Sequence, residues 1–161
     1  DGTVTIGIDD FAKKLIGRID DVELPNLGMM VKRGQPLFSV RQGQRAIPFR
    51  SPVSGKVIGI NSRLREHIET LDITPYERNW VCAVDADELD AEIQDLRIGK
   101  AAVSFYQEEI SAFRESIRKA VRGGNGSSEE KLTNDLYVGI LEHLDDREWG
   151  KIVKKFFDRQ V

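Results

Sequence analysis

Glycine or proline interrupts the first half of the chain every few residues, and Gly7, Gly17, Pro25, Gly28, Gly34 and Gly55 are among the breaks. Such punctuation leaves room for short strands and tight turns and for little else. "TVTIGI" alternates β-branched residues with the period of a half-buried strand. "DDFAKKLIG" follows as one short helical region, with an Asp start signal and Gly17 as a stop. "IDDVELP" is the next strand, ended by Pro25, and "GMMVKRGQPLFSV" reads as turn, strand, turn and strand. "AIPFR" and "KVIGIN" flank Ser51-Pro52-Val53-Ser54-Gly55, a tight turn, and "NWVCAV" closes the set. Seven or so short strands of this kind make a small barrel or sandwich.

Near Asp85 the pattern changes. Leu89, Ile93 and Leu96, then Val103, Phe105, Tyr106, Ile110, Phe113 and Ile117, recur at helical spacing, and Gly99 separates two helices. "RGGNGSSEE", Arg122–Glu130, has linker composition. "EEKLTNDLYVGILEHL" and "DDREWGKIVKKFF" read as two more helices. Leu132, Leu136, Ile140 and Leu144 line one stripe, and Trp149, Ile152, Val153, Phe156 and Phe157 the other.

At 161 residues, 40% hydrophobic and 32% charged, the chain is long enough for one core and an appendage. A net charge of −3 offers no general attraction for nucleic acid. No apolar run approaches the ~20 residues of a membrane span. The lone Cys82 sits in an apolar run and reads as core, which fits a reducing, cytoplasmic setting. Catalytic patterns are missing. His67 and His143 lie far apart without metal-ligand spacing, and "RGGNGS" lacks the Lys-Ser/Thr of a phosphate loop. The pairs Asp9-Asp10 and Asp145-Asp146 stand just before helices, where carboxylates cap free N–H groups.

Several motifs in order carry a more specific signal. "GIDDFAKKLIGRIDDVELPNLGMMVKRGQPLFSV", "SPVSGKVIGIN" and "ITPYERNWVCAV" resemble the glycine cleavage H-protein family over roughly residues 3 to 84, with weaker helical similarity to about Phe113. The resemblance implies a mainly β lipoyl/biotinyl-carrier fold, a flattened β-barrel or barrel-sandwich hybrid, with an α-helical C-terminal extension. It assigns residues 1–98 to the lipoyl-type domain, while composition and helical spacing make 99–122 a helix packing on it, 123–130 a flexible linker and 131–161 a helical hairpin tail. The family's first strand, with its His-x-Trp, would precede Thr3, so the native protein is expected to be longer.

The same resemblance places a lipoyl-lysine at a hairpin tip, seven residues before the first serine of the Ser-Pro-Val-Ser-Gly turn. Here that position is Gln44, and no lysine lies between Arg41 and Arg50; Lys32 and Lys56 fall elsewhere. A glutamine amide is too weak a nucleophile to take an acyl group, and a shift of register by one brings up Arg45, whose guanidinium stays protonated. The expectation is a non-catalytic, non-lipoylated domain without a cofactor that binds a protein partner. The alternative is a lipoyl carrier of the glycine cleavage system, modified on another lysine.

Arg41, Arg45 and Arg50 replace the family's acidic surroundings, and alternation places Arg41, Gly43 and Arg45 on one face. They are either a solvated hairpin edge or a basic docking site for an acidic protein or a phosphate-bearing ligand. Trp149, Phe156 and Phe157 are either internal packing against Phe105, Tyr106 and Phe113 or a partner-binding face, including a homodimer through the C-terminal helices.

Overall fold

In this computed structural model, residues 2–72, 79–92, 94, 99–122 and 138–158 are described. Among these residues seven strands form two antiparallel sheets: β1 (Thr3–Gly7), β2 (Asp21–Glu23), β3 (Met30–Val31), β4 (Pro36–Gln42), β5 (Arg45–Arg50), β6 (Gly55–Ile60) and β7 (Trp80–Ala86). One sheet runs β1-β7-β6-β3 and the other β2-β4-β5. Among the described residues no strand is shared between them, so the flattened barrel is an open sandwich. Both sheets turn inward onto a single apolar core. Val22, Leu37, Val40 and Ile47 come from the smaller sheet, and Val31, Val57, Val81 and Val84 from the larger.

Among the described residues four α-helices accompany the sheets: α1 (Asp10–Ile16), α2 (Leu89–Glu92), α3 (Gly99–Arg122) and α4 (Asp146–Phe156). Asp9 caps α1 by accepting from the Ala12 N–H at 2.8 Å, and Asp145 caps α4 by accepting from the Glu148 N–H at 2.9 Å. Gly17 ends α1 at φ +77°, where a side chain would be strained and where a Cβ would also strike Glu142 and Gly139. Pro48 is tolerated in β5 because that strand is a sheet edge.

The extension departs from the sequence reading in one place. The helix expected to run through residue 144 is, over its described part, a single 3-10 turn at Ile140–His143. Gly139 enters this turn at φ +67° while donating its N–H to the Lys14 carbonyl at 2.7 Å, and Leu144 leaves it extended. That bond to α1 replaces the intrahelical partner which a continuous helix would have supplied. The expected linker at 123–130, together with Ile93, Leu96, Leu132 and Leu136, lies outside the described residues.

The 3-10 turn and α4 are integral to the core. Leu141 is fully buried, and Ile140, Leu144, Ile152 and Val153 are each at most 8% exposed. Phe113 of α3 meets Phe11 of α1 at 6.1 Å and Phe156 of α4 at 5.2 Å, both edge to face. α4 thereby packs on α3, and α3 on α1.

Candidate functional site

The β4–β5 hairpin is built for a sharp reversal. Gln42 pairs with Arg45, leaving Gly43 and Gln44 as a two-residue turn. Gly43 has φ +60°, as a type II′ turn requires at its first central position, and no non-glycine residue among the described residues has a positive φ. Nothing lies within 4 Å of a Cβ at Gly43, so glycine is needed there for its backbone angle and not for space. Asp20 anchors the tip by accepting the Gly43 N–H at 2.7 Å, and it pairs with Arg18 at 2.8 Å. The Gly43 N–H, and after it Arg18, hold the Asp20 carboxyl below its ordinary value. Gln44 stands exposed at the apex and makes no hydrogen bond among the described residues.

The turn also changes the phase of the arginines. In the register Arg41 lies opposite Ala46 and Gln42 opposite Arg45, so Arg41 and Arg45 point to opposite faces. The expectation of one arginine face is therefore corrected: two turn residues reverse the strand, and counting by alternation does not carry across them. Arg41 lies on the outer face, with Glu23 at 3.1 Å. Gln42 points inward, where its Nε2 donates to the carbonyls of Ile16 at 2.6 Å and Arg18 at 3.2 Å and ties the hairpin to the end of α1.

Arg45 and Arg50 bind the chain's own C-terminal segment. Arg45 donates to the Leu141 carbonyl at 3.3 Å, the Leu144 carbonyl at 2.9 Å and the Asp146 carboxylate at 2.7 Å. Its guanidinium also sits 5.4 Å from the centre of the Trp149 ring. Arg50 grips Asp158 at 2.6 Å and donates to the Gly34 carbonyl at 2.7 Å. Phe157 meets Phe49 at 6.1 Å, and Phe49 stacks on Phe38 at 4.9 Å. Trp149, Phe156 and Phe157 are half-buried and touch Arg45, Phe113 and Phe49 respectively.

The remaining candidates are structural. Ser51 is fully buried and its Oγ donates to the Val53 carbonyl at 2.7 Å, while the Ser54 N–H and Oγ both donate to Glu92, at 2.7 and 2.6 Å. His67 is exposed beside Glu69, and no group of three His, Cys, Asp or Glu side chains poised for a metal occurs among the described residues. Burial pushes the Cys82 thiol up to about 12. Glu142, Gly139 and Gln42 organise the hairpin and were not singled out in the sequence. Gln42 and Glu142 show in the sequence only as polar residues near a turn, which many loops share, and Gly139 is one of 14 glycines.

The Glycine cleavage H-protein family model matches residues 1–109. The chain belongs to the glycine cleavage H-protein family. It is 36% identical over 107 residues to a probable glycine cleavage system H protein of Thermococcus gammatolerans, covering 66% of this chain and 79% of that one. It is 41% identical over 90 residues to a glycine cleavage system H protein of Saccharophagus degradans, covering 56% and 69%. Among solved structures, a glycine cleavage system H protein from Mycobacterium marinum superposes with TM-score 0.51 at 26% identity, over 54% of this chain and 68% of that one. The H-protein match stops within α3, so the tail segment that holds Arg45 and Arg50 lies beyond it.

Proposed function

We propose that this H-protein family member works as a non-catalytic protein-binding module whose β4–β5 hairpin carries no lipoyl group. One observation carries the reading: the exposed apex of the hairpin is Gln44, and the hairpin from Arg41 to Arg50 contains no lysine. An amide-linked lipoyl group needs an amine, so the residues at this tip do not fit that cofactor. The engagement of Arg45 and Arg50 with the tail supports a hairpin held in place and not a free arm.

The second reading is the carrier role in glycine cleavage, and the names borne by the relatives favour it. It requires a modified lysine elsewhere. Of the described lysines, Lys32 is the one that stands outside helix and strand, exposed at the turn after β3. Under this reading the partners are other proteins of the glycine cleavage system.

Intact mass separates the two. The chain is expressed with a lipoylating enzyme and lipoate, beside a Gln44→Lys variant as positive control. Wild-type protein at its sequence mass, with the variant heavier by one lipoyl group, is the expected result. A lipoylated wild-type chain, with the adduct mapped to Lys32 or another lysine, establishes the carrier reading instead.

A further inference from the structure

We propose that the outer face at the β3 edge of the four-stranded sheet is a docking surface for an acidic segment of another protein with apolar anchors. The inference rests on the protein-binding part of the proposed function and is independent of lipoylation.

The register sets Met30 of β3 beside Lys56 of β6. Val31 and Val57 point into the core at 3% and 0% exposure, and alternation therefore turns Met30, Lys32 and Lys56 outward, while Ile58, at the bulge between Val57 and Gly59, is exposed as well. The Gly28 N–H donates to the Val57 carbonyl at 2.7 Å and brings Leu27 to the same edge. A Cβ on Gly28 would stand 3.9 Å from the Lys56 Cε, so the lysine stem runs over this glycine. Leu27, Met30 and Ile58 are 64%, 62% and 46% exposed, three large apolar side chains on the paired stretches of this one edge.

Charge selects the occupant. Lys32 and Lys56 flank the three apolar side chains and form no ion pair among the described residues, although Asp85 lies opposite Lys56 in the register. A second copy docked through the same patch about a two-fold axis would set these lysines against their own counterparts. An anionic lipid surface would rest on only three apolar side chains and two lysines of this face. A protein segment that offers apolar side chains beside Asp or Glu satisfies both the anchors and the lysines.

A random-peptide display selected against the full chain at low salt tests this. Enriched peptides should combine apolar anchors with acidic residues, shift the backbone amide signals of residues 27–32 and 56–58, and weaken as salt rises. Met30→Ser and Lys56→Glu, each confirmed folded by circular dichroism, should weaken binding about tenfold, while Lys151→Glu on α4 should not. Peptides that map elsewhere, survive these substitutions, or fail to enrich overturn the surface. A dimer in sedimentation that Met30→Ser abolishes reassigns the face to a second copy, and flotation with phosphatidylserine vesicles that Lys56→Glu abolishes reassigns it to lipid. Because the mass measurement is separate, an unmodified chain without peptides on this face removes the surface and leaves the non-lipoylated reading in place.

Discussion

Asp20 shows how one side chain sets the hairpin tip. Its carboxylate accepts the Gly43 N–H, the first cause of its lowered pKa, with Arg18 adding to the effect. A depressed folded value means that this contribution is complete above the unfolded value near 3.8 and is lost as pH falls through the folded one. The Gly43 amide proton signal is therefore expected to titrate below pH 3.8, and in Asp20→Asn that titration should vanish. Cys82 makes the opposite point. With its thiol pushed up to about 12 and no exposed surface, it should resist alkylation at pH 8 in the native chain and react fully in denaturant. Rapid native alkylation would contradict its placement in the core.

At the level of elements, the junction between α1 and the tail does most to position the hairpin. The last turn of α1 leaves carbonyls without helical partners. Gly139 N–H serves Lys14, Gln42 serves Ile16, and Glu142 accepts the Arg18 N–H at 2.7 Å. Arg45 then crosses from β5 to the carbonyls that precede α4. Charge-assisted bonds of this kind are worth roughly 1.5–3 kcal/mol, and partial exposure places Arg45→Ala at the lower end, about 2 kcal/mol of destabilisation. Removing the α4 cap with Asp145→Ala should cost about 1 kcal/mol. Urea midpoints of both variants check these magnitudes, and an Arg45→Ala chain as stable as wild type would show that its bonds to the tail are dispensable.

For the whole molecule, the issue is whether the part matched by the family can stand without its extension. Ile140, Leu141, Leu144, Ile152 and Val153 are buried, and each such side chain contributes roughly 1.5–3 kcal/mol before the entropy of ordering the segment is subtracted. A domain of this size has about 5–15 kcal/mol in total. A chain ended after residue 122 is therefore expected to lose cooperative unfolding and to expose Phe113 and Ile117, which are at most 1% exposed in the intact fold. Thermal denaturation and dye binding to exposed apolar surface would show it. A truncated chain that still melts sharply would mean that the sandwich is self-sufficient and the tail only an accessory.

The sequence by itself determined the strands, their turns, both ends of α1 and the start of α4, because glycine, proline and capping aspartates act on the backbone within a few residues. It also determined that no lysine stands in the hairpin, which is a fact of composition at a position. The family was legible for the same reason: its motifs are these local turn and strand signals in order. Only the tertiary structure decided where the side chains went. Arg41 and Arg45 part to opposite faces because a two-residue turn resets the alternation. Arg45 and Arg50 meet acids about a hundred positions away in sequence. Gly139 breaks the expected helix by bonding α1. Each of these depends on what the folded chain brings within reach, and no local pattern encodes such long-range proximity.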